Sequence, residues 1–280
     1  MENLYKISKK LIPNKIRMRL KPFYMRWALQ RFTQPVKIWI KKYKFFIWLD
    51  PRNRAIDEYI FIHRNWEVDI ARIIEEHLKL GEVFVDIGAN IGYFSLLGAS
   101  VVGPTGRVFA FEPISRVAQQ LKMSVQANNY ENVKIKNMAL GAEPSIMQLE
   151  IMPGNVGGSS LVKNIGSGQS ESVKVSTLDK ELAHSEAVSI IKIDVEGYEY
   201  EVLLGAQETI KKYKPTIILE FSPSVYRRQK VDNSRNILSL MIDNKYQIRD
   251  LDFGYPCLDM DDYLQKLGAK QTNLLLTHTP

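Results

Sequence analysis

Between residues 82 and 221 the chain alternates short apolar runs with longer stretches whose apolar positions recur at helical spacing. An unbroken apolar run bounded by turn residues marks a strand buried on both faces, whereas i, i+3, i+4 spacing marks a helix with one buried side. On this basis strands are expected over 83–87, 108–112 and 133–140, with helices over 91–101 and 115–128. After an interruption at 141–187 the alternation resumes with strand 188–193, helix 199–212 and strand 216–221, and Pro215 separates the last two. A final pair, 245–251 and 272–278, is expected to form an edge hairpin. Upstream, 45–49 and 59–62 read as short strands, and 68–80 as a helix ended by Gly81. Such alternation predicts an α/β fold, a mostly parallel sheet with helices on both faces, whose ligands bind beyond the carboxyl ends of the strands.

The interruption is not a crossover helix. Residues 146–151 and 172–175 look like the two strands of a hairpin insertion, flanking a Gly/Ser-rich loop that begins at Pro153. A loop of that length suits either an active-site cover or a hairpin tip. Thr177 is placed to cap a short helix over 178–183, with Asp179 in its first turn.

The carboxyl ends of the expected strands carry acids. Asp86, Gly88, Asn90 and Gly92 occupy the turn after the first core strand, and Glu112 ends the next one. Glycines let the backbone approach a ligand closely, and a carboxylate at the second strand end suits a ribose diol. The turn lacks the G-x-G-x-x-G spacing of a dinucleotide site, and a carboxylate at Asp86 would repel a pyrophosphate. The same charge favours a cationic amino-acid moiety, such as the methionine end of S-adenosylmethionine. Asp194 is a third strand-end acid, with Glu196 two residues on, and Glu220 is a fourth. Lys192 is read as a salt-bridge partner of these acids, and Glu199 and Glu201 as helix-dipole partners. The four histidines share no spacing that defines a metal set, so no metal is expected, although a hard cation at Asp194 and Glu196 stays open.

Composition adds an asymmetry. The net charge is +7, yet residues 1–50 hold 13 Lys and Arg against Glu2 and Asp50 alone, so the remainder is mildly acidic. Residues 1–44 mix these cations with Tyr5, Phe23, Tyr24, Trp27, Phe32 and Trp39 and read as a basic surface arm, helical in part before Pro35. Residues 45–280 then form the main domain. The single cysteine, Cys257, excludes an intramolecular disulfide and agrees with a reducing compartment. No apolar run reaches membrane-spanning length, so a soluble, cytoplasmic protein is expected. The arm suits peripheral contact with an anionic membrane.

Several motifs occur in order: Val85–Phe94 (VDIGANIGYF), Phe111–Pro113 (FEP), Asn137–Leu140 (NMAL), Ser176–Asp179 (STLD) and Ile191–Glu199 (IKIDVEGYE). Together they resemble the FkbM-type methyltransferases, class I enzymes that use S-adenosylmethionine. The resemblance runs from about Trp48 to Phe221, with Trp48–Pro51 and Trp66–Glu67 as its lead-in. It implies a Rossmann-like seven-stranded sheet with one reversed strand at the edge. It further implies that the methionine moiety lies around Asp86, Gly88, Asn90, Gly92 and Tyr93, the ribose on Glu112, and adenine near Asn137, Met138 and Ala139. The acceptor would lie near Asp194 and Glu196, and would be a hydroxyl of a sugar, glycolipid or related small molecule. Strand-end placement makes Asp194 the expected proton acceptor, with Glu196 orienting the substrate and Glu220 as the alternative base. An RNA substrate held by the basic arm is the competing reading, disfavoured by the acidic core.

Overall fold

The computed structural model describes residues 25–26, 29, 31–53, 56–151, 160–161, 169–185, 187–228 and 232–279. A seven-stranded sheet forms the centre. Its strands are β3 (Val83–Ile87), β4 (Arg107–Phe111), β5 (Val133–Lys136), β10 (Ile190–Ile193), β11 (Thr216–Phe221), β12 (Tyr246–Asp250) and β13 (Thr272–His278). Their order is β12-β13-β11-β10-β3-β4-β5, parallel except that β13 runs against both of its neighbours. All five residues of β3 and all four of β10 are buried, as strands covered on both faces must be.

Side-chain alternation divides the sheet into two faces. Phe84, Val108, Ala110, Ile190 and Ile218 enter one core, whereas Val83, Val85, Ile87, Phe109, Phe111, Ile191 and Leu219 enter the other. The first face is covered by α2 (Val68–His77), α3 (Tyr93–Val102) and α4 (Ser115–Ala127), the second chiefly by α6 (Glu199–Leu204), α7 (Gln207–Tyr213), α8 (Pro223–Arg228), α9 (Ser234–Asp243) and α10 (Met260–Leu267). Asp86 and Lys192 are register partners on the first face, and Glu220 has the same parity as Ile218. Strand-end acids therefore gather on one side of the sheet.

Several expectations are corrected. The reversed strand is not at the edge: β13 is inserted between β11 and β12, so β12 forms the edge. Residues 59–62 belong to helix α1 (Ile56–His63), not a strand. Its Asp57 is buried and accepts N–H donors from Asp50 (2.6 Å), Asn53 (2.5 Å) and Gln120 (2.7 Å), which fixes that turn against α4. The strand expected over 133–140 splits at Asn137, because β6 (Ala139–Leu140) pairs with β9 (Gln169–Ser176) in a second sheet of order β6-β9-β7-β8. That sheet, with β7 (Ser145–Ile151) and β8 (Ser160–Leu161), is the hairpin insertion. The loop considered as a cover lies mainly outside the described residues.

The helix expected over 199–212 breaks between α6 and α7, where a Cβ on Gly205 would meet the Gly141 carbonyl at 2.0 Å. Thr177 does cap α5 (Leu178–Glu181), accepting the Lys180 N–H at 3.2 Å, and Asp179 in its first turn also accepts the Glu208 and Thr209 N–H groups of α7.

Part of the expected basic arm packs with the main domain. β1 (Val36–Ile40) pairs antiparallel with β2 (Phe45–Leu49), and Leu29, Ile38, Ile40 and Tyr43 are core residues. Side chains of α4 and of Asn128 just after it satisfy part of the outer edge of β2, through Asn128 with Phe46, Ser124 with Trp48, and Gln120 with the Trp48 carbonyl. Most of the segment expected to be helical before Pro35, Trp27 included, lies outside the described residues.

Candidate active site

A cavity of about 390 Å³ opens over the carboxyl ends of β3, β4, β10 and β11. One end is built by the turns after β3 and β4. Gly88 and Ala89 donate their N–H groups to the Phe111 carbonyl at 3.0 and 2.9 Å, which locks the two turns together. Glu112 then reaches across: Oε2 accepts the Asn90 N–H at 2.9 Å and Oε1 accepts the Ile114 N–H at 2.8 Å. Burial pushes the Glu112 carboxyl up to about 7, against the pull of those two backbone donors. Each oxygen keeps a second lone pair for a ligand hydroxyl.

Gly88 is required for a reason different from ligand approach. A Cβ there would lie 1.8 Å from the Asp194 carbonyl, and its φ is +77°. The first turn is thereby pressed against the end of β10. Gly92, at φ +89°, similarly faces Leu121 in α4 and does not line the cavity. Asp86 is fully buried beneath the cavity, with Oδ2 accepting the Ser95 hydroxyl at 2.6 Å and Oδ1 left without a partner. Burial raises its pKa, opposed by Lys192 and Ser95. Asn90, Tyr93, Met138 and Ala139 line the cavity. Asn137 does not, since its amide donates to the Glu112 and Pro113 carbonyls at 2.9 Å each and so holds the β4 turn.

The other end is acidic. Asp194, Glu196 and Glu220 each place a carboxylate oxygen within 4.8 Å of the others, and all three line the cavity. Lys192, buried among them, donates to Asp194 Oδ2 at 2.8 Å. Burial works to lower the Lys192 pKa, but Asp194, Asp86 and Glu67 outweigh it and hold the ammonium charged. Glu196 sits at φ +53°, and burial beside Asp194 and Glu199 pushes its carboxyl up to about 7. Glu220 is 8% exposed; Gln271 donates to Oε1 while Oε2 is buried without a partner. Glu199 is structural, since Oε1 accepts the Gly197 N–H at 2.9 Å.

Sequence reasoning missed Glu67, Trp66, Tyr198 and Gln271 as cavity residues. Glu67 occupies the N-cap of α2 in left-handed geometry, φ 34°, and burial raises its carboxyl to about 7 next to Lys192 and Asp194. An acid at a helix start signals nothing beyond a dipole partner. Only the backbone strain betrays this one.

A mostly parallel sheet whose carboxyl rim joins a buried carboxylate to a cluster of acids around one cavity defines an α/β protein with a candidate ligand site where such folds bind their ligands. The family model of the Methyltransferase FkbM domain matches residues 86–270, and the chain belongs to that family. Methyltransferase 1 of Beauveria bassiana is 25% identical over 161 residues, 50% of this chain and 64% of its own length. Hexuronic acid methyltransferase AglP of Haloferax volcanii is 27% identical over 155 residues, 54% of this chain and 61% of its own. The chain thus spans less than two thirds of either relative. The crystal structure of an FkbM methyltransferase from Methylobacillus flagellatus KT superposes with a TM-score of 0.44 at 20% identity, covering 78% of this chain and 52% of that one.

Proposed function

We propose that the protein is an S-adenosylmethionine-dependent O-methyltransferase whose acceptor is a hydroxyl of a sugar, glycolipid or related small molecule. The observation that carries this reading is a single cavity with Glu112 at one end and Asp194, Glu196 and Glu220 at the other. The residues fit the cofactor. Glu112 offers free lone pairs to a ribose diol, Met138 and Ala139 give a small apolar ledge for a base, and the acids favour a cationic centre but oppose a pyrophosphate. When bound, S-adenosylmethionine supplies a methyl group activated by the positive sulfur, which keeps the bonding pair as the acceptor oxygen takes the methyl. The chain's work is to hold the acceptor in line and to keep water out, for which positioning alone can supply about 7–11 kcal/mol. Asp194 takes the hydroxyl proton, Glu196 orients the acceptor and Glu220 is the alternative base. The sugar class is supported by the hexuronic acid named for the Haloferax relative.

The test is calorimetric titration of S-adenosylmethionine, then transfer of labelled methyl to fractionated glycan, lipid and RNA pools. Binding together with label in the glycan or lipid fraction is expected. Label confined to RNA would replace this reading with its competitor. Normal turnover in Asp194→Asn would remove that residue as base.

A peripheral membrane location is supported by the outer face of the β1–β2 hairpin. Trp39 and Phe46 are 42% and 36% exposed with ring centroids 4.6 Å apart, and Lys37 Nζ lies 5.0 Å from the Phe46 ring. Exposed Lys41 and Lys44 flank them. Aromatic rings beside cations suit an anionic lipid surface. Sedimentation with phosphatidylserine vesicles should fall in the Trp39→Ala, Phe46→Ala double variant. Equal sedimentation would discard this location.

A further inference from the structure

We propose that Asp194, Glu196 and Glu220 form a site for a hard divalent cation, through which an oxygen-rich acceptor, either vicinal hydroxyls or a sugar carboxylate, is held at the cavity's acidic end. The acceptor half of this inference rests on the proposed function; the cation half does not. Three carboxylates from the ends of β10 and β11 present oxygens within 4.8 Å of one another, a spacing that one small cation can bridge. An acidic cluster alone means little. The second observation is Glu220 itself: it is 92% buried by its 8% exposure, and Oε2 has no hydrogen-bond partner while Gln271 holds Oε1 in place. An orphaned carboxylate oxygen in the wall of a cavity is costly to the fold unless a donor or a cation meets it.

Charge argues in the same direction. Lys192 is the ammonium embedded in this wall, and its field is shared among Asp194, Asp86 and Glu67. Its one hydrogen bond to a carboxylate goes to Asp194 Oδ2 at 2.8 Å, and Arg228 acts on Glu196 only through its field, which leaves Glu220 Oε2 without a bonded cation or donor. A neutral alcohol would tolerate that wall. An acidic sugar would be repelled by it, since like charges at short range in a partly buried site oppose each other strongly. A divalent cation offsets the excess negative charge of the wall and adds open coordination positions. Hydroxyl or carboxylate oxygens of the acceptor can fill these, which orients the acceptor and acidifies its hydroxyl. Hard oxygen-only ligands select magnesium or manganese(II) over thiophilic metals.

The experiment titrates Mn²⁺ into the full chain and follows the free aquo-ion signal by electron paramagnetic resonance. The wild type is compared with Glu220→Gln, Asp194→Asn and, as a surface control outside the cluster, Glu171→Gln. Saturable binding of about one ion per chain is expected, weakened about tenfold or more in Glu220→Gln and Asp194→Asn and unchanged in the control. Circular dichroism shows which variants fold, and the wild-type titration stands whether or not they do. Absence of saturable binding at millimolar Mn²⁺, or equal binding in all folded variants, overturns the site. The acceptor half is read separately, as methyl transfer to an acidic glycan fraction in EDTA and after Mg²⁺ is restored. Loss and recovery are expected, with calorimetric affinity for S-adenosylmethionine unchanged by EDTA. Undiminished transfer in EDTA overturns the acceptor half. If S-adenosylmethionine itself fails to bind, the proposed function falls, and the Mn²⁺ titration still decides the cation.

Discussion

The two ends of the cavity treat their carboxylates differently. At the end proposed for the nucleoside, Glu112 has one lone pair of each oxygen consumed by a backbone N–H, at 2.9 and 2.8 Å, so the fold itself sets its orientation. At the end proposed for the acceptor, Glu220 Oε2 has no partner, Glu196 adopts φ +53°, and Asp194 shares its charge with Lys192. Glu112 is fixed without a ligand and keeps lone pairs for hydroxyl donors, although Asp86 Oδ1 beneath it is unpartnered and Asn90 has φ +51°. The cluster of Asp194, Glu196 and Glu220 gathers more charge, and the one ammonium buried among them, Lys192, bonds to only one of the three carboxylates. A common cofactor can be met by a rigid, satisfied carboxylate. An end that stays unsatisfied in the free protein is one whose stability and geometry depend on what binds.

The two ends are joined through Gly88, so the largest expected effect is at that residue. In Gly88→Ala the Cβ would lie 1.8 Å from the Asp194 carbonyl oxygen and the left-handed φ of +77° would be strained as well. Backbone cannot yield as a flexible side chain does, and a loss of about 3 kcal/mol or more of stability is expected. Gly254→Ala separates strain from clash. That glycine also has positive φ, +68°, but its Cβ would meet nothing within 4 Å, so about 1 kcal/mol is expected. Denaturant unfolding of both variants measures the difference. Equal losses would mean that the β3–β10 contact does not couple the two ends.

The next effect tests the independence of the ends. Glu112→Gln removes the anionic acceptor and turns one oxygen into a donor group that faces the Asn90 or Ile114 N–H. S-adenosylmethionine affinity should fall by about 1.5–3 kcal/mol, the range for a hydrogen bond to a charged group. Glu220→Gln should leave that affinity within about threefold, a change near 0.6 kcal/mol. Calorimetry on the pair reads both. A comparable loss in the two variants would show one electrostatic unit and not two ends.

The Glu112 end of the cavity was the more legible in sequence, and the reason is locality. Gly88 and Asn90 lie in one turn, Tyr93 opens the helix that follows it, and Glu112 ends the neighbouring strand, so the alternation of strand and helix brings these segments together. Two of the residues expected there do not line the cavity: Gly92 packs on Leu121 and exposed Asn137 braces the turn after β4, because a glycine or an amide gives no sign of whether its neighbour is a ligand or protein. The acceptor end draws on distant chain: Trp66 and Glu67 precede the first core strand, and Gln271 lies just before the reversed strand β13. Once β13 is inserted next to β11, Gln271 reaches Glu220. That insertion depends on the sheet as a whole. The same non-locality hid the start of the fold, where a basic, aromatic stretch gave no hint that β1 pairs with β2 and buries Ile38 and Ile40.

The smallest expected effect is a pH dependence confined to the nucleoside end. In the free protein burial raises the Glu112 carboxyl to about 7. A ribose diol donates to the ionised form, so binding selects the deprotonated carboxylate and must expel a proton wherever the free protein holds one. The sign follows. Affinity for S-adenosylmethionine should be weakest at pH 6, rise several-fold through pH 7 and level off near pH 8, with proton release on binding that fades over the same interval. Glu112→Gln has no titrating carboxyl there, and its affinity should show a flatter profile than the wild type over that range. Ligand protonation is common to both proteins and cancels in their ratio. Parallel profiles for the two would show that Glu112 is already ionised in the free protein and that its two backbone donors outweigh its burial.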